Sequence, residues 1–466
     1  MNRNNYFIHF GIAVVIITLA AVLGQIRRWE TSLTVSRTKL DPVTTATTVA
    51  PSESSGVVNA EAEVLVRFKP GVSIDQIKKI AAVNNDLVDD KYEAIKGLVS
   101  IDDMDDADPE AVAREYASMV DLVEYAQPNF EISIERLEAG APNDPQFEEQ
   151  WALNNLGPKS ASRRADIDAL LAWTKTHGSE DVVVAVLDTG VDYTHEDLVS
   201  NMWTRPDSIP EYADEELGSF DDVHGFDAEM NDPDPMDDNG HGTHCAGIIG
   251  AEGDNGLGIA GINWKVQIMP LKFLGKGGFG TTKNAIEAIN YAIDRKKKGV
   301  NIRVINASWG STQYSRALED AIRAAGDNGI LFVAAAGNSS TDNDRRAHYP
   351  SNYNLPNVIS VAAMDRTDAL ASFSNYGAKT VHIAAPGRDI KSTWLNDSYR
   401  EASGTSMATP QVSGVAALII SSEPNISVEK LRDRILKSAD KLDSVDGKVA
   451  TGGLCATGAL GITESH

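Results

Sequence analysis

Val182-Val183-Val184-Ala185-Val186-Leu187 is an unbroken run of apolar, mostly β-branched side chains. Strand side chains alternate between two faces, so a run without polar alternates must be apolar on both, as in a parallel sheet covered on each side. The run stops at Asp188-Thr189-Gly190. A carboxylate therefore stands at the carboxyl end of a buried strand, the edge where open α/β sheets gather functional groups. Ile330 to Ala336 repeats the pattern and ends in Gly337-Asn338. The expected class is α/β with a parallel sheet.

Two further motifs complete a set of reacting groups. His241 follows the turn signal Asn239-Gly240 and precedes a helical stretch from Thr243 to Ala251. Ser406 opens a small-residue helix, Met407 to Ser421, with Pro410 expected in its first turn, where a missing N–H is tolerated. A serine hydroxyl is a poor nucleophile until an imidazole takes its proton, and a carboxylate must orient that imidazole and stabilise its cation. Asp188, His241 and Ser406 supply these three parts. Ser406 also starts near the positive end of a helix dipole, and the Asn338 amide can donate to a tetrahedral oxyanion.

The order Asp, His, Ser with these surroundings resembles the subtilisin-like serine proteases. His241-Gly242-Thr243-His244-Cys245-Ala246-Gly247 is most similar to the thermitase branch, over about Pro142 to Ser438. The resemblance implies a three-layer α/β/α fold with a mostly parallel central sheet, and peptide-bond hydrolysis through an acyl-enzyme. It assigns Asp188, His241 and Ser406 to the triad and Asn338 to the oxyanion hole. It also implies an extended substrate held between two backbone edges, here Gly277-Gly278-Phe279-Gly280 and Ser308-Trp309-Gly310, with Ala336 and Gly337 at the first pocket. The loop beyond Asn338, Asp342-Asn343-Asp344-Arg345-Arg346-Ala347-His348, carries both charge signs and leaves primary specificity open.

The family further implies structural calcium. The first site combines Asp144, Asp197, the Asn255 side chain and the carbonyls of Glu252, Leu257 and Ile259. The second uses Asp227, Asp232 and Asp234, but Met230 stands where the thermitase branch has an aspartate, so a weaker or differently built site is expected there.

Upstream, Tyr6 to Gly24 is apolar without an acidic residue and is followed by Arg27-Arg28. It reads equally as a signal peptide or as an uncleaved anchor, placing the enzyme in a secreted or periplasmic location or on a membrane through residues 6–24. Thr31 to Gly56 reads as a solvated Thr/Ser-rich tether. Strand and helix patterns then alternate through Glu63–Phe68, Asp75–Val83, Gly97–Ile101, Pro109–Met119 and Val123–Ala126, an α+β unit resembling the family's inhibitory propeptide. The expected division is 1–26 leader or anchor, 27–59 linker, 60–138 propeptide and 139–466 peptidase, with processing between about Ile134 and Asn143.

A formal net charge of -25 over 466 residues argues against nucleic acid as a partner and suits a cation-binding protein. The expected partners are protein or peptide substrates and the chain's own propeptide, with a monomeric enzyme. Two cysteines do not make a disulfide framework. Cys245, one turn beyond His241, is expected as a partly buried free thiol, while a bridge to Cys455 stays open. A narrow kexin-like processing protease, a peptide ligase on the same fold and a catalytically silent, membrane-tethered calcium-binding scaffold are the alternative readings. His244, standing where kexins have arginine, argues against the first, and the unaltered residues beside Ser406 argue against the second.

Overall fold

A computed structural model describes residues 59–92, 95–104, 108–130, 140–155, 165–214 and 218–462. The apolar segment at 6–24, nearly all of the linker and residues 134–139 of the expected processing stretch lie outside them. The chain divides into two compact units, residues 1–132 and 133–466.

The first unit is a four-stranded antiparallel sheet with two helices: β1 (Asn59–Phe68), α1 (Ile74–Val83), β2 (Asp86–Lys91), β3 (Leu98–Asp103), α2 (Pro109–Ser118) and β4 (Val123–Phe130), in strand order β2-β3-β1-β4. Ser73 and Gln76 cap α1 reciprocally. Val64, Val66, Phe68, Ile77, Val99, Ile101, Val112 and Tyr116 form its core. The edge strand β2 was not expected, because Asp-Leu-Val-Asp-Asp-Lys is rich in charge; at an edge Asp89, Asp90 and Lys91 face water and discourage further pairing, while Asp86 is buried and accepts from the Tyr116 hydroxyl.

The second unit contains α3 (Ala169–Trp173), β5 (Gly178–Asp188), a small pair β6 (Tyr212–Asp214) and β7 (Gly218–Phe220), β8 (Phe226–Asp227), α4 (His241–Gly250), β9 (Lys265–Lys272), α5 (Thr282–Lys297), β10 (Ile302–Ala307), α6 (Arg316–Asp327), β11 (Leu331–Ala335), β12 (Val358–Met364), β13 (Ile383–Pro386), the hairpin β14 (Ile390–Trp394) and β15 (Ser398–Ala402), α7 (Thr405–Ser422), α8 (Val428–Lys437) and α9 (Ala456–Leu460). Its main sheet has the order β13-β12-β11-β10-β5-β9-β8 and every neighbouring pair is parallel.

The apolar run behaves as its composition demands. Val182, Val184 and Val186 pack with α4 and α7 on one face, and Val183, Ala185 and Leu187 pack with α5 and α6 on the other. Two helical layers thus enclose the sheet, the three-layer α/β/α fold expected. α7 lies against β5, β10, β11, β12 and β13 and is buried almost throughout, which explains its small apolar composition.

One expectation is corrected. α7 begins at Thr405, so Pro410 falls inside the helix rather than in its first turn. It is tolerated because the carbonyl it cannot serve, that of Ser406 four residues earlier, receives a tertiary partner described below.

Candidate active site

Each of the expected reacting groups sits at an element end. Asp188 closes β5 and is fully buried. Its Oδ1 accepts from the Thr189 N–H at 2.8 Å and meets His241 Nδ1 at 2.7 Å. His241 is the first residue of α4, and Gly242 beside it donates its N–H to Thr189 Oγ1 at 2.9 Å. A Cβ on Gly242 would lie 2.0 Å from the Gly190 carbonyl oxygen, so only glycine lets this helix start touch the turn that follows β5.

Because Nδ1 is committed to Asp188, the other imidazole nitrogen, Nε2, is left to handle a proton. Burial by itself depresses the imidazole pKa, but the charge and hydrogen bond of Asp188, with Asp237 behind them, hold it above its ordinary value. Asp237 was missed from the sequence. It is buried, accepts from the N–H groups of Asn239, Gly240 and Thr243 and from the Thr243 hydroxyl, and puts a negative charge on the first turn of α4. Lys272, also missed, is a buried ammonium opposite Asp188 in the β5–β9 register. It ties the carbonyls of Thr189 and Leu274 to Asp238 at 2.9–3.0 Å.

Ser406 enters from α7. Its hydroxyl donates to the Ser308 carbonyl at 2.8 Å rather than to His241, while the Ser308 hydroxyl donates to the Ser406 carbonyl, also at 2.8 Å. The second bond replaces the helical one that Pro410 cannot make. Behind it, Asn306 Nδ2 donates to Ser308 Oγ at 3.0 Å and the Ser413 hydroxyl donates to Asn306 Oδ1 at 2.9 Å, Asn306, Ser308 and Ser413 all being buried. The Cys245 thiol lies within 4.8 Å of both Asp188 and His241 and donates to the Ser406 carbonyl at 3.5 Å, which ties the three motifs to one place. Cys245 is free and fully buried, more so than expected, and burial pushes its thiol pKa well up. Cys455 is also free; its Sγ accepts from the Gly458 N–H at 3.3 Å at the start of α9.

Asn338 follows β11 and is exposed. Its Oδ1 accepts from the Thr405 N–H at 2.8 Å and the Thr405 hydroxyl at 3.0 Å, leaving the amide N–H groups for a ligand. The same hydroxyl accepts from the Gly337 N–H at 3.1 Å, so Thr405 joins the oxyanion candidate to the helix that carries Ser406. Of the substrate-edge residues, Ser308, Trp309 and Gly310 follow β10, with Trp309 Nε1 donating to the Leu187 carbonyl at 2.9 Å. Gly277, Gly278 and Phe279 lie on the exposed loop after β9, held beside the His241 turn by Asn239 Nδ2 on the Lys276 carbonyl at 2.8 Å. Ala336 and Gly337 lie between β11 and Asn338, both buried.

The first calcium set converges. Asp197 accepts from Asn255 Nδ2 at 2.8 Å and from the Ile259 N–H at 3.0 Å, and its backbone carbonyl accepts from the Glu252 N–H at 2.9 Å. Asp144 Oδ2 accepts from the Asp254 N–H at 2.7 Å, while its Oδ1 is buried without a hydrogen-bond partner among the described residues. Leu257 donates its N–H to Asn255 Oδ1 at 2.7 Å. Burial pushes the Asp144 carboxyl up to about 6 and raises that of Asp197. An orphaned, desolvated carboxylate oxygen beside a second buried carboxylate fits a hard cation. The second set lacks this mark. Asp227 accepts from the N–H groups of Glu229 and Met230, Asp232 from that of Asp234, and Asp234 from Met236 N–H and the Tyr193 hydroxyl, and the Lys272 ammonium lies 3.9 Å from Glu229.

The sequence profile of the subtilase family matches residues 179–452. A thermophilic serine proteinase of Bacillus sp. (strain AK1) is 37% identical over 390 residues, covering 82% of this chain and 83% of its own. Thermitase of Thermoactinomyces vulgaris is 37% identical over 301 residues, covering 65% of this chain and 92% of its own. Among solved structures, a protease from Pseudoalteromonas arctica superposes with a TM-score of 0.53 at 29% identity, over 69% of this chain and 99% of its own. With a parallel sheet, reacting groups at its element ends and relatives of this kind, the chain belongs to the subtilase family and is a serine endopeptidase.

Proposed function

We propose that Ser406 is the nucleophile, His241 the general base and then acid, Asp188 its orienting carboxylate, and Asn338 with the Ser406 N–H the oxyanion donors. Ser406 Oγ attacks the scissile carbonyl carbon as His241 Nε2 takes its proton. The negative oxygen of the tetrahedral adduct is held by Asn338 Nδ2 and the Ser406 amide, and His241 returns the proton to the leaving amine. Water repeats the sequence to free the acid. The observation that carries this reading is the 2.7 Å contact of Asp188 Oδ1 with His241 Nδ1, which leaves Nε2 as the nitrogen to face the nucleophile. The Ser406 hydroxyl leaves the Ser308 carbonyl by rotation about its Cα–Cβ bond when substrate arrives.

The substrate lies extended between the 277–280 and 308–310 segments, pairing its main chain with theirs. Calcium at Asp144, Asp197, Asn255 and the carbonyls of Glu252, Leu257 and Ile259 would offset the buried carboxylates and tie the residues near 144 to the 252–259 loop. The orphaned Asp144 oxygen supports this site, and Asp227, Asp232 and Asp234 remain the weaker second one. The first compact unit is a propeptide that inhibits until it is removed, and the apolar segment at residues 6–24 directs export or anchoring.

Intact mass of the protein expressed from about Leu40 onward, beside Ser406→Ala, tests the reading. The expected result is loss of the first hundred or so residues in the wild type alone, with casein hydrolysis and fluorophosphonate labelling that both disappear in Ser406→Ala. A Ser406→Ala protein that still cuts casein or takes the label refutes the assignment, a wild type that does neither returns the silent-scaffold alternative, and a wild type that cuts only after basic residues in a peptide panel returns the kexin-like one.

A further inference from the structure

We propose that His348 closes the slot receiving the substrate side chain on the acyl side of the cut bond, so that this enzyme favours small residues there over aromatic and long aliphatic ones. The inference rests on the assignment of Ser406 and Asn338 above. A scissile carbonyl carbon at Ser406 Oγ with its oxygen toward Asn338 sends the preceding side chain between the two segments that end at those groups. One is Ser308–Gly310, whose carbonyl at Ser308 holds the Ser406 hydroxyl. The other is Ala335–Gly337, which runs into Asn338.

The imidazole of His348 occupies the space between these segments. A Cβ built on Gly310 would lie 2.1 Å from His348 Cε1, and one on Gly337 would lie 3.1 Å from Cδ2 and Nε2. The ring therefore packs on both backbones; position 310 must be glycine for it to fit, while at position 337 glycine is required by Asn375 Nδ2, 2.5 Å from a built Cβ, and by a φ of +107°. Its position is fixed from behind. Tyr349 and Ser311 exchange backbone hydrogen bonds at 2.7 Å in each direction, which pins residue 348 beside Gly310. The His348 N–H donates to Asn352 Oδ1 at 3.1 Å, the Ser351 hydroxyl donates to the His348 carbonyl at 2.6 Å, and Asn352 in turn holds the Asn343 carbonyl at 2.9 Å.

Asp342, Asp344 and Arg345 of the same loop are engaged elsewhere, and Arg346 is exposed. Asp344 accepts from the N–H groups of Lys379 and Thr380 and from the Thr380 hydroxyl, and Asp342 pairs with Arg345 at 3.3 Å. Only burial and a hydrogen bond with the Ala335 backbone act on the imidazole, and burial lowers its pKa below the ordinary value. His348 Nδ1 is buried without a partner among the described residues. The slot thus presents a neutral ring where charge selection was conceivable from the sequence, and selection there is by volume.

The test uses the full-length protein, allowed to mature, with peptide anilides differing only in the residue before the cut: alanine, leucine and phenylalanine. Hydrophobic pockets separate side chains differing by a methylene by about 10- to 200-fold in kcat/KM. The wild type is expected to favour alanine over phenylalanine by about 10-fold or more, and His348→Gly to shift the phenylalanine-to-alanine ratio upward by about 10-fold or more. The ratio cancels any general loss of activity, and His348→Ala serves where the glycine variant does not fold. A wild type that cuts after phenylalanine as readily as after alanine, or variants with an unchanged ratio, overturns the inference while fluorophosphonate labelling of Ser406 persists. Absence of that labelling in the wild type overturns the catalytic assignment and this inference with it.

Discussion

Replacing Ser308 by alanine isolates the bond that stands in for the helical partner missing at Pro410. The Ser308 hydroxyl donates to the Ser406 carbonyl at 2.8 Å and accepts from Asn306 Nδ2 at 3.0 Å, and Asn306 is fully buried. Its loss leaves the Asn306 nitrogen unpaired and the Ser406 carbonyl with only the Cys245 thiol at 3.5 Å. A buried group stripped of its partner costs about 1–3 kcal/mol, so for these two groups the expected destabilisation is about 2–6 kcal/mol. Pro410→Ala restores an N–H four residues after Ser406. In the parent that carbonyl already has a donor, so little is gained. In Ser308→Ala the new bond should return about 1 kcal/mol, the net value of one intramolecular hydrogen bond. The two substitutions should therefore couple by about 1 kcal/mol, beyond the roughly 0.3–0.5 kcal/mol within which independent sites add. All four proteins would carry Ser406→Ala to prevent self-digestion, with unfolding rates read in guanidinium because protease domains often unfold irreversibly. A departure from multiplicative rates of about fivefold is expected, since about 1.4 kcal/mol is tenfold. Simple additivity would show that the Ser406 carbonyl does not depend on Ser308, and the account of Pro410 would fall.

Three further outcomes follow from the same geometry. The base must be neutral to act, so kcat/KM should fall as pH drops through a His241 pKa above its ordinary value near about 6.5. Asp188→Asn should move that limb down and reduce kcat by about 10⁴-fold. For stability the sign is opposite: the raised value means the Asp188–His241 contribution is complete below the unfolded pKa and lost as pH rises through the folded one, which pH-dependent unfolding of Ser406→Ala would reveal. Chelator should lower the melting temperature, and Asp144→Asn should remove most of that shift; an equal shift in both proteins would exclude Asp144 as a ligand. Thiol titration should find two reactive groups only after denaturation, because Cys245 and Cys455 are free and buried.

What could be read in the residues alone followed from rules that act over a few positions. The Val182–Leu187 run dictates a strand buried on both faces, and Asn239-Gly240 dictates a turn before a helix, so the positions of Asp188 and His241 at element ends were legible. β2 and the β14–β15 hairpin were not, because charged or mixed strands acquire their pairing from neighbours rather than from periodicity. Thr405 sits in plain view within the serine motif, yet its hydroxyl matters through Gly337 and Asn338, far away in the chain. His348 is the extreme case: nothing local distinguishes it from a loop histidine, and its place between Gly310 and Gly337 exists only after β10 and β11 have paired.

The strand order β13-β12-β11-β10-β5-β9-β8 also governs when the molecule can begin to cut. β5 lies inside the sheet, between β10 and β9, although it is the first of those strands in the chain, so its two sides are filled by segments that arrive later. Parallel pairing across such separations is slow, because loop-closure entropy is lost before contacts compensate it. The helix bearing Ser406 comes after every strand of that sheet and packs on five of them. A nascent or partly folded chain therefore holds Asp188 and His241 without Ser406, the nucleophile proposed here, and competence to hydrolyse peptide bonds arises only when nearly the whole domain has closed.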